Sequence, residues 1–102
     1  MIRVSILYPQ GAKFDADYYQ NSHMPMIAEK VGSALIRYEI DKGLAGAVPG
    51  SPAPFIGVGH LYFNSIPEFI QAFAPHAPAI MGDVPNYTDA TPTLQISEIV
   101  VG

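Results

Sequence analysis

The join LYFNSIPEF, Leu61 to Phe69, constrains the fold more than any other stretch of the chain. Ser65 with Glu68 three residues on is a capping box, in which each side chain satisfies a backbone N–H at a helix start. Pro67 falls in the first turn, where its missing N–H costs nothing. Phe63 and Phe69 staple the join, so a strand and the helix after it must meet at a set angle. The staple also orients the strand. Side chains alternate along a strand, so Phe63 facing the helix brings Leu61, Gly59, Gly57 and Phe55 to the same side and sends Tyr62, His60, Val58 and Ile56 to the other.

A second helix start stands earlier, in FDADYYQNSHMPM, Phe14 to Met26. Asp15 is the N-cap, with Phe14 and Tyr19 at the two staple positions. Tyr19 and His23 are four residues apart and share one helix face. Pro25 cannot donate to the Asn21 carbonyl and pushes Met24 off helical angles, so the helix is expected to kink or stop within a residue or two of His23. Its overall end is expected near Val31-Gly32, with Gly32 suited to the C-terminal cap.

Strand signals fill the rest. Ile2 to Tyr8 is short and apolar and closes at Pro9; Ala34 to Lys42 alternates in part; Phe55 to Phe63 leads into the capping box; and Thr93 to Val101 places Leu94, Ile96 and Val100 on one face. Gly43 to Pro54, rich in glycine and proline, is expected to be a mobile loop. Phe69, Ile70, Phe73, Ala77 and Ile80 keep helical spacing, while Pro75 and Pro78 are expected to split that helix into a first stretch and a short turn, followed by a loop from Gly82 to Pro92. The order is β-α-β-β-α-β. It predicts an α+β fold, a ferredoxin-like βαββαβ sandwich in which one antiparallel sheet carries both helices on one face, as a single domain over residues 1–102.

Such a sheet leaves its other face bare. Only 14% of residues are charged while 49% are hydrophobic, against about 25% charged in an average soluble domain. Surplus apolar surface on a bare sheet face predicts a homodimer. The net charge is -4, and the five basic residues Arg3, Lys13, Lys30, Arg37 and Lys42 form no stripe, which argues against nucleic acid as a partner. The chain has no cysteine, which excludes disulfides, thiolate nucleophiles and sulfur-based zinc sites. No apolar run approaches the roughly 20 residues a membrane helix needs, so no membrane association is expected and a cytoplasmic location is the default.

The two glycines on the helix side of Phe55 to Phe63 are expected to leave room between sheet and helices for a small apolar ligand, with Gly57 and Gly59 as its floor. Tyr19 and His23 are the polar groups best placed to enter that space. Two readings stand for His23: a general acid or base, since imidazole titrates near neutral pH without a cofactor, or a cap that donates to a carbonyl freed by Pro25. His60, on the bare face, reads as a hydrogen-bonded interface residue. His76, between two prolines, either rims the pocket or lies exposed. Tyr18, Tyr19, Phe69 and Phe73 are core residues first, whatever ligand they touch. Asp83 and Asp89 match no calcium loop and read as turn residues; no metal site, glycine-rich phosphate cradle or nucleophile elbow is present.

MIRVSILYP, FDADYYQNSHMPM, LYFNSIPEF and DVPNYTD, in that order over nearly the whole chain, resemble the EthD family, named for ethyl tert-butyl ether degradation. The resemblance implies a dimeric α+β barrel, in which ferredoxin-like subunits pair sheet to sheet. Related barrels include cofactor-free monooxygenases, polyketide cyclases, muconolactone isomerases and haem-binding enzymes. By similarity to the cyclases, a ligand would lie between the sheet and helices of one subunit, His23 and Tyr19 would line it, and the stretch from His76 to Asp83 would close one end. With Phe73, and Tyr87 from the matching loop, these make up the expected ligand-binding set. A cyclase catalytic histidine does not carry over, because Gly57 and Pro78 stand near where one would be sought. The expectation is a small cofactor-independent enzyme for an aromatic or other apolar metabolite, with His23 moving a proton and Tyr19 orienting a carbonyl or hydroxyl. A non-catalytic accessory protein of an oxidative pathway, and a haem protein using His23, His60 or His76, are the alternatives.

Overall fold

In the computed structural model, which describes residues 1–102, the first strand β1 (Ile2–Pro9) buries Ile2, Val4, Ile6 and Tyr8 and leaves Arg3, Ser5 and Leu7 between them partly exposed. This is the strand period, with one dry face and one wetter one. Strands β2 (Arg37–Lys42), β3 (Phe55–Phe63) and β4 (Thr93–Glu98) complete an antiparallel sheet in the order β2-β3-β1-β4. Helical segments link β1 to β2 and β3 to β4. The result is the ferredoxin-like α+β sandwich that the order of sequence signals predicts. No helix is long and apolar enough to cross a membrane.

The first connection is helix α1 (Ala16–Tyr18), a π-helical turn from Tyr19 to His23, and helix α2 (Met24–Val31). Asp15 caps it as expected, its Oδ1 accepting from the Tyr18 N–H at 3.1 Å. Pro25 does not stop the helix. The turn before it widens instead, with the Met24 N–H reaching back to the Tyr19 carbonyl, and Pro25 then falls in the first turn of α2, where a missing N–H is cheap. Gly32 ends α2 at φ 65, an angle that favours glycine. In the second connection Ser65 accepts from the Glu68 N–H at 3.3 Å, and the Phe63 and Phe69 rings meet at 5.1 Å. Helix α3 (Ile66–Phe73) follows, then a 3₁₀ turn from Ala74 to His76 and helix α4 (Ala77–Asp83). The stretch after Pro78 is thus a helix of 7 residues and not a short turn, since Pro78 occupies its first turn and costs it no hydrogen bond. The last strand stops at Glu98, short of Val101.

Register fixes the faces. Leu61 pairs with Val4 and Tyr38, Gly59 with Ile6 and Ile40, and Ile96 with Val4, so all of these point toward the helices. The helix-side glycines do not leave a void. A Cβ on Gly59 would lie 2.0 Å from the Tyr19 Oη, and one on Gly57 would lie 2.9 Å from the Phe14 ring. The first helix uses the missing side chains to lay its own aromatic rings onto the sheet, so the space expected for a ligand there is filled.

The open face is also unlike the expectation. It carries Arg3, Ser5 and Leu7 from β1, Arg37, Glu39 and Asp41 from β2, Ile56, Val58, His60 and Tyr62 from β3, and Thr93, Gln95 and Ser97 from β4. Only Leu7, Ile56 and Val58 are aliphatic. The polar groups are tied together: Arg3 Nε donates to the Tyr62 hydroxyl at 3.1 Å, that hydroxyl donates to Glu39 at 2.5 Å, and the Arg37 guanidinium lies 4.3 Å from the Tyr62 ring centroid. The exposed apolar surface lies elsewhere: at the uncovered edges of the helix side (Ile36, Tyr38, Leu94, Ile96), on the outside of α3 (Ile66, Ile70), and most fully at Leu44, Val48, Val100 and Val101.

The contact of Tyr19 with Gly59 is testable. Gly59→Ala should lower stability by about 1–3 kcal/mol, the usual range for overpacking. Tyr19→Phe alone should raise stability by up to about 1–3 kcal/mol, because it removes a buried hydroxyl that has no hydrogen-bond partner, and should recover part of the loss when combined with Gly59→Ala. Urea unfolding of the three variants measures this; a Gly59→Ala protein as stable as the parent would mean the helix is not held at this distance.

Candidate functional site

Two remote segments are clasped beside the first helix. Phe14 bridges to Thr88, the Asp15 N–H donates to the Tyr87 carbonyl at 2.7 Å, and the Lys13 N–H donates to Asp89 Oδ1 at 2.9 Å. This seats the Tyr87 ring over the π-helical turn. In that turn Tyr19 and His23 stack with centroids 5.5 Å apart and planes 19° apart, and Tyr87 packs on His23 at 4.5 Å. Wide turns of this kind displace side chains from their α-helical directions and recur at functional sites.

His23 is 3% exposed. Its Nδ1 lies 2.8 Å from Asp83 Oδ2 and its Nε2 lies 3.3 Å from the Tyr87 hydroxyl, which is itself 2.7 Å from the Tyr8 hydroxyl. Asp83, the last residue of α4, is held in turn: its Oδ1 accepts from the Tyr18 hydroxyl at 2.6 Å and from Asn86 Nδ2 at 2.9 Å. His23 therefore joins a side-chain network and caps no carbonyl.

Burial pushes the His23 imidazole below its ordinary value, opposed only in part by Asp83. Burial would raise the Asp83 carboxyl, but hydrogen bonds from Tyr18, Asn86 and His23 outweigh it and hold that carboxyl low. Burial also raises Tyr8, Tyr19 and Tyr87, the last to about 12, while the hydrogen bond to Asp83 raises Tyr18. At neutral pH the site thus consists of a carboxylate, a neutral imidazole and neutral phenols.

His23, Tyr8 and Tyr87 share the wall of a narrow apolar cavity with Val4, Ile6, Ile27, Leu61, Phe69, Phe73, Ile80, Met81, Val84, Pro92 and Leu94. Its volume is about 30 Å³, room for water but not for a ring. Met81 and Leu94, both half-exposed, form its outer side. A wider, open groove of about 710 Å³ runs between the start of the first helix and β2, past Phe14, Gln20, Asn21, Tyr38 and Ile40. It touches none of the His23 network. No three His, Asp or Glu side chains converge as a metal site.

Among the residues singled out from sequence, His23, Asp83 and Tyr87 come together by direct hydrogen bonds, and Phe73 joins Tyr87 in the cavity wall. Tyr19 stacks on His23, but its hydroxyl points at Gly59. Gly57 and Gly59 lie beneath the Phe14 and Tyr19 rings, and His76, in the 3₁₀ turn, stands outside the cavity wall. Tyr8, Tyr18 and Asn86 belong to the network without having been singled out as site residues. The signal for Tyr8 was present: it continues the inward series Ile2, Val4, Ile6 with a hydroxyl, and a hydroxyl on the dry face of a strand needs a partner.

The fold and site define a small ferredoxin-like α+β protein with an Asp-His-Tyr network beside an apolar cavity between sheet and helices. The EthD domain model matches residues 10–91, and the chain belongs to the EthD family. An EthD-like protein from Ralstonia eutropha JMP134 is 44% identical, with 98% of this chain and 92% of that chain covered and a TM-score of 0.93. An ethyl tert-butyl ether (EthD) family protein from Bacillus halodurans C-125 shares the fold at 22% identity, with 96% and 97% coverage and a TM-score of 0.73. No protein of curated function matches the chain.

The network carries a pH signature. Both His23 and Asp83 titrate lower in the folded chain than in the unfolded one, so each contributes stability that is present above its unfolded value and lost as pH falls through the window below it. For His23 that window opens below 6.5, with a slope of about 1.4 kcal/mol per pH unit where one proton is taken up on unfolding. Urea unfolding between pH 7 and pH 5 should show the loss, and His23→Gln should flatten it. An unchanged slope in the variant would place the titration elsewhere.

Proposed function

We propose that this protein is a small cofactor-independent enzyme acting on an aromatic or other apolar metabolite, with His23 as the general acid–base group. The observation that carries the reading is the Asp83–His23 pair, 2.8 Å apart, beside an apolar cavity. A carboxylate at Nδ1 fixes the imidazole's tautomer and orientation and stabilises the cation formed when Nε2 takes a proton. Burial keeps the imidazole neutral and ready to act as a base. The stacked Tyr19 ring holds His23 in place from below, and Tyr87 is the hydroxyl nearest the reacting nitrogen. A reaction of the monooxygenase, cyclase or isomerase type, in a degradation or secondary-metabolite pathway, would use a group of this kind.

A second reading, a non-catalytic binding protein of an oxidative pathway, is favoured by the small cavity and by the fact that its polar groups already bond one another. Turnover separates the two. Thermal-shift screening of aromatic and polyketide-like compounds supplies the ligand; His23→Gln should then keep ligand affinity and lower turnover roughly a hundredfold or more, the usual loss for such a group. A variant that turns a true substrate over normally would remove the catalytic assignment, and ligands recovered unchanged from the parent protein would favour the binding role.

The working unit in this reading is a homodimer paired through the open sheet face. Two features support it: charges of both signs on that face, which a two-fold axis can set opposite one another, and a buried His60 Nδ1 without a hydrogen-bond partner beside the 2.7 Å bond from its Nε2 to Asp41. Val58→Asp should dissociate or unfold such a dimer by burying an unpaired charge. Light scattering that gave a stable monomer for the parent protein at micromolar concentration would defeat the dimer.

A further inference from the structure

The hydrogen bonds around His23 have a direction, and the direction selects what can join them. The Asp83 carboxylate has no proton to give, so His23 Nδ1 is the donor across their 2.8 Å bond and Nε2 keeps a lone pair. The Tyr87 hydroxyl must then donate to Nε2 across 3.3 Å. Having used its one proton, it accepts from the Tyr8 hydroxyl at 2.7 Å. Tyr8 has likewise used its proton. What remains at that end is acceptor capacity on the Tyr8 oxygen, which the neighbouring and otherwise unpaired Tyr19 hydroxyl shares with any ligand in the cavity that Tyr8 lines. At the other end the Asp83 side chain is 18% exposed, whereas Tyr8 and Tyr87 are each 1% exposed. The bonds run from the cavity to solvent.

We propose that Tyr8, Tyr87, His23 and Asp83 form a directed proton relay, and that the cavity takes a neutral phenol or enol whose hydroxyl donates to the Tyr8 oxygen. This deepens the acid–base reading of His23 and rests on it. In the step, the ligand O–H bond breaks and its proton bonds to Tyr8; the Tyr8 proton passes to Tyr87, and the Tyr87 proton to His23 Nε2. The ligand is left as a phenolate or enolate and His23 as an imidazolium beside the Asp83 carboxylate, so charge is conserved and no oxidant or reductant enters. A concerted shift leaves neither tyrosine as a phenolate, a form that burial strongly disfavours at Tyr8. The wall excludes charged ligands. It has 12 hydrophobic residues among 14 and no lysine or arginine, so a ligand arriving as a carboxylate or phosphate would be buried without a counter-ion, whereas the phenolate or enolate forms together with the His23 imidazolium that balances it. Met81 and Leu94 must move aside to admit a ring.

A network that served only to hold the fold would not distinguish a ligand that donates a hydrogen bond from one that cannot. Phenol and anisole share a ring and differ in the O–H. Each is titrated into the parent protein, Tyr8→Phe and Tyr87→Phe, with affinity read by calorimetry and the His23 ring nitrogens by NMR. The parent should bind phenol roughly tenfold more tightly than anisole, and only phenol should shift the His23 signals. Tyr8→Phe should lose the preference while keeping its anisole affinity. Tyr87→Phe should bind phenol without moving His23, because the link between Tyr8 and the imidazole is cut. Equal binding of the two probes by the parent, a preference retained in Tyr8→Phe, or no binding of either probe would overturn the proposal. A phenol preference that disappears in Tyr8→Phe, found together with unchanged turnover in His23→Gln, would keep the donor-selective site and remove the acid–base role, so the two failures are distinguishable.

Discussion

The missing side chain at Gly59 sets the separation of sheet and first helix, and the site inherits that separation. Tyr19 reaches the sheet because nothing projects from Gly59; a Cβ there would stand 2.0 Å from its hydroxyl. His23 rests on Tyr19, and Tyr87 packs against both, at 5.1 Å from the Tyr19 ring and 4.5 Å from His23. Raising Tyr19 by the width of a methyl group would raise His23 with it. Asp83 would not follow, since Tyr18 and Asn86 hold its other oxygen. A backbone contact in β3 thus controls a hydrogen bond on the far side of the helix, because close-packed rings transmit displacement and do not absorb it.

The same stack contains one polar group that is not satisfied. The Tyr8, Tyr87 and His23 polar atoms bond one another, while the Tyr19 hydroxyl is buried without a partner. Such a group costs about 1–3 kcal/mol. The expense sits directly beneath His23, where a phenylalanine would pack equally well against the imidazole.

How much of this could be read from the sequence depends on the range of each signal. The Ser65 cap, the Asp15 cap and the alternation in β1 and β3 are patterns within one element, and each appears where the spacing puts it, although Glu68 accepts from Asn64 and does not return the bond to Ser65. The inward face of β3 was legible because one staple contact, Phe63 on Phe69, orients the whole strand. Pro25 was legible in part: it predicts a kink or a stop near His23, and the helical irregularity does fall there, but the single wide turn that lets the helix continue leaves no mark in residue spacing. The open face misled for another reason. A surplus of apolar residues in the composition does not say where they lie, and the exposed ones lie at the uncovered edges, on α3, in the loop at Leu44 and Val48 and at Val100 and Val101, not on the face that Ser5, Glu39 and Gln95 make polar. At the site, Tyr19 and His23 were legible as neighbours on one helix. The partner of His23 was not, because Asp83 is 60 residues away and the meeting depends on how two helical connections pack on one sheet.

The π-helical turn from Tyr19 to His23 makes the site sensitive to the length of the chain as well as to its composition. Such a turn holds one residue more than an α-helical turn, and each residue rotates an α-helix by about 100°. Removing one residue here would let an unbroken α-helix form, at little cost to helical hydrogen bonding. The two halves of the helix would keep their relative direction, because the wide turn is what absorbs the extra residue, but Tyr19 and His23 would stand three residues apart in an α-helical turn and would no longer stack as they do. Two EthD-like chains identical at every residue named here, but differing by a single insertion in this turn, would share the fold and differ in whether they possess the site.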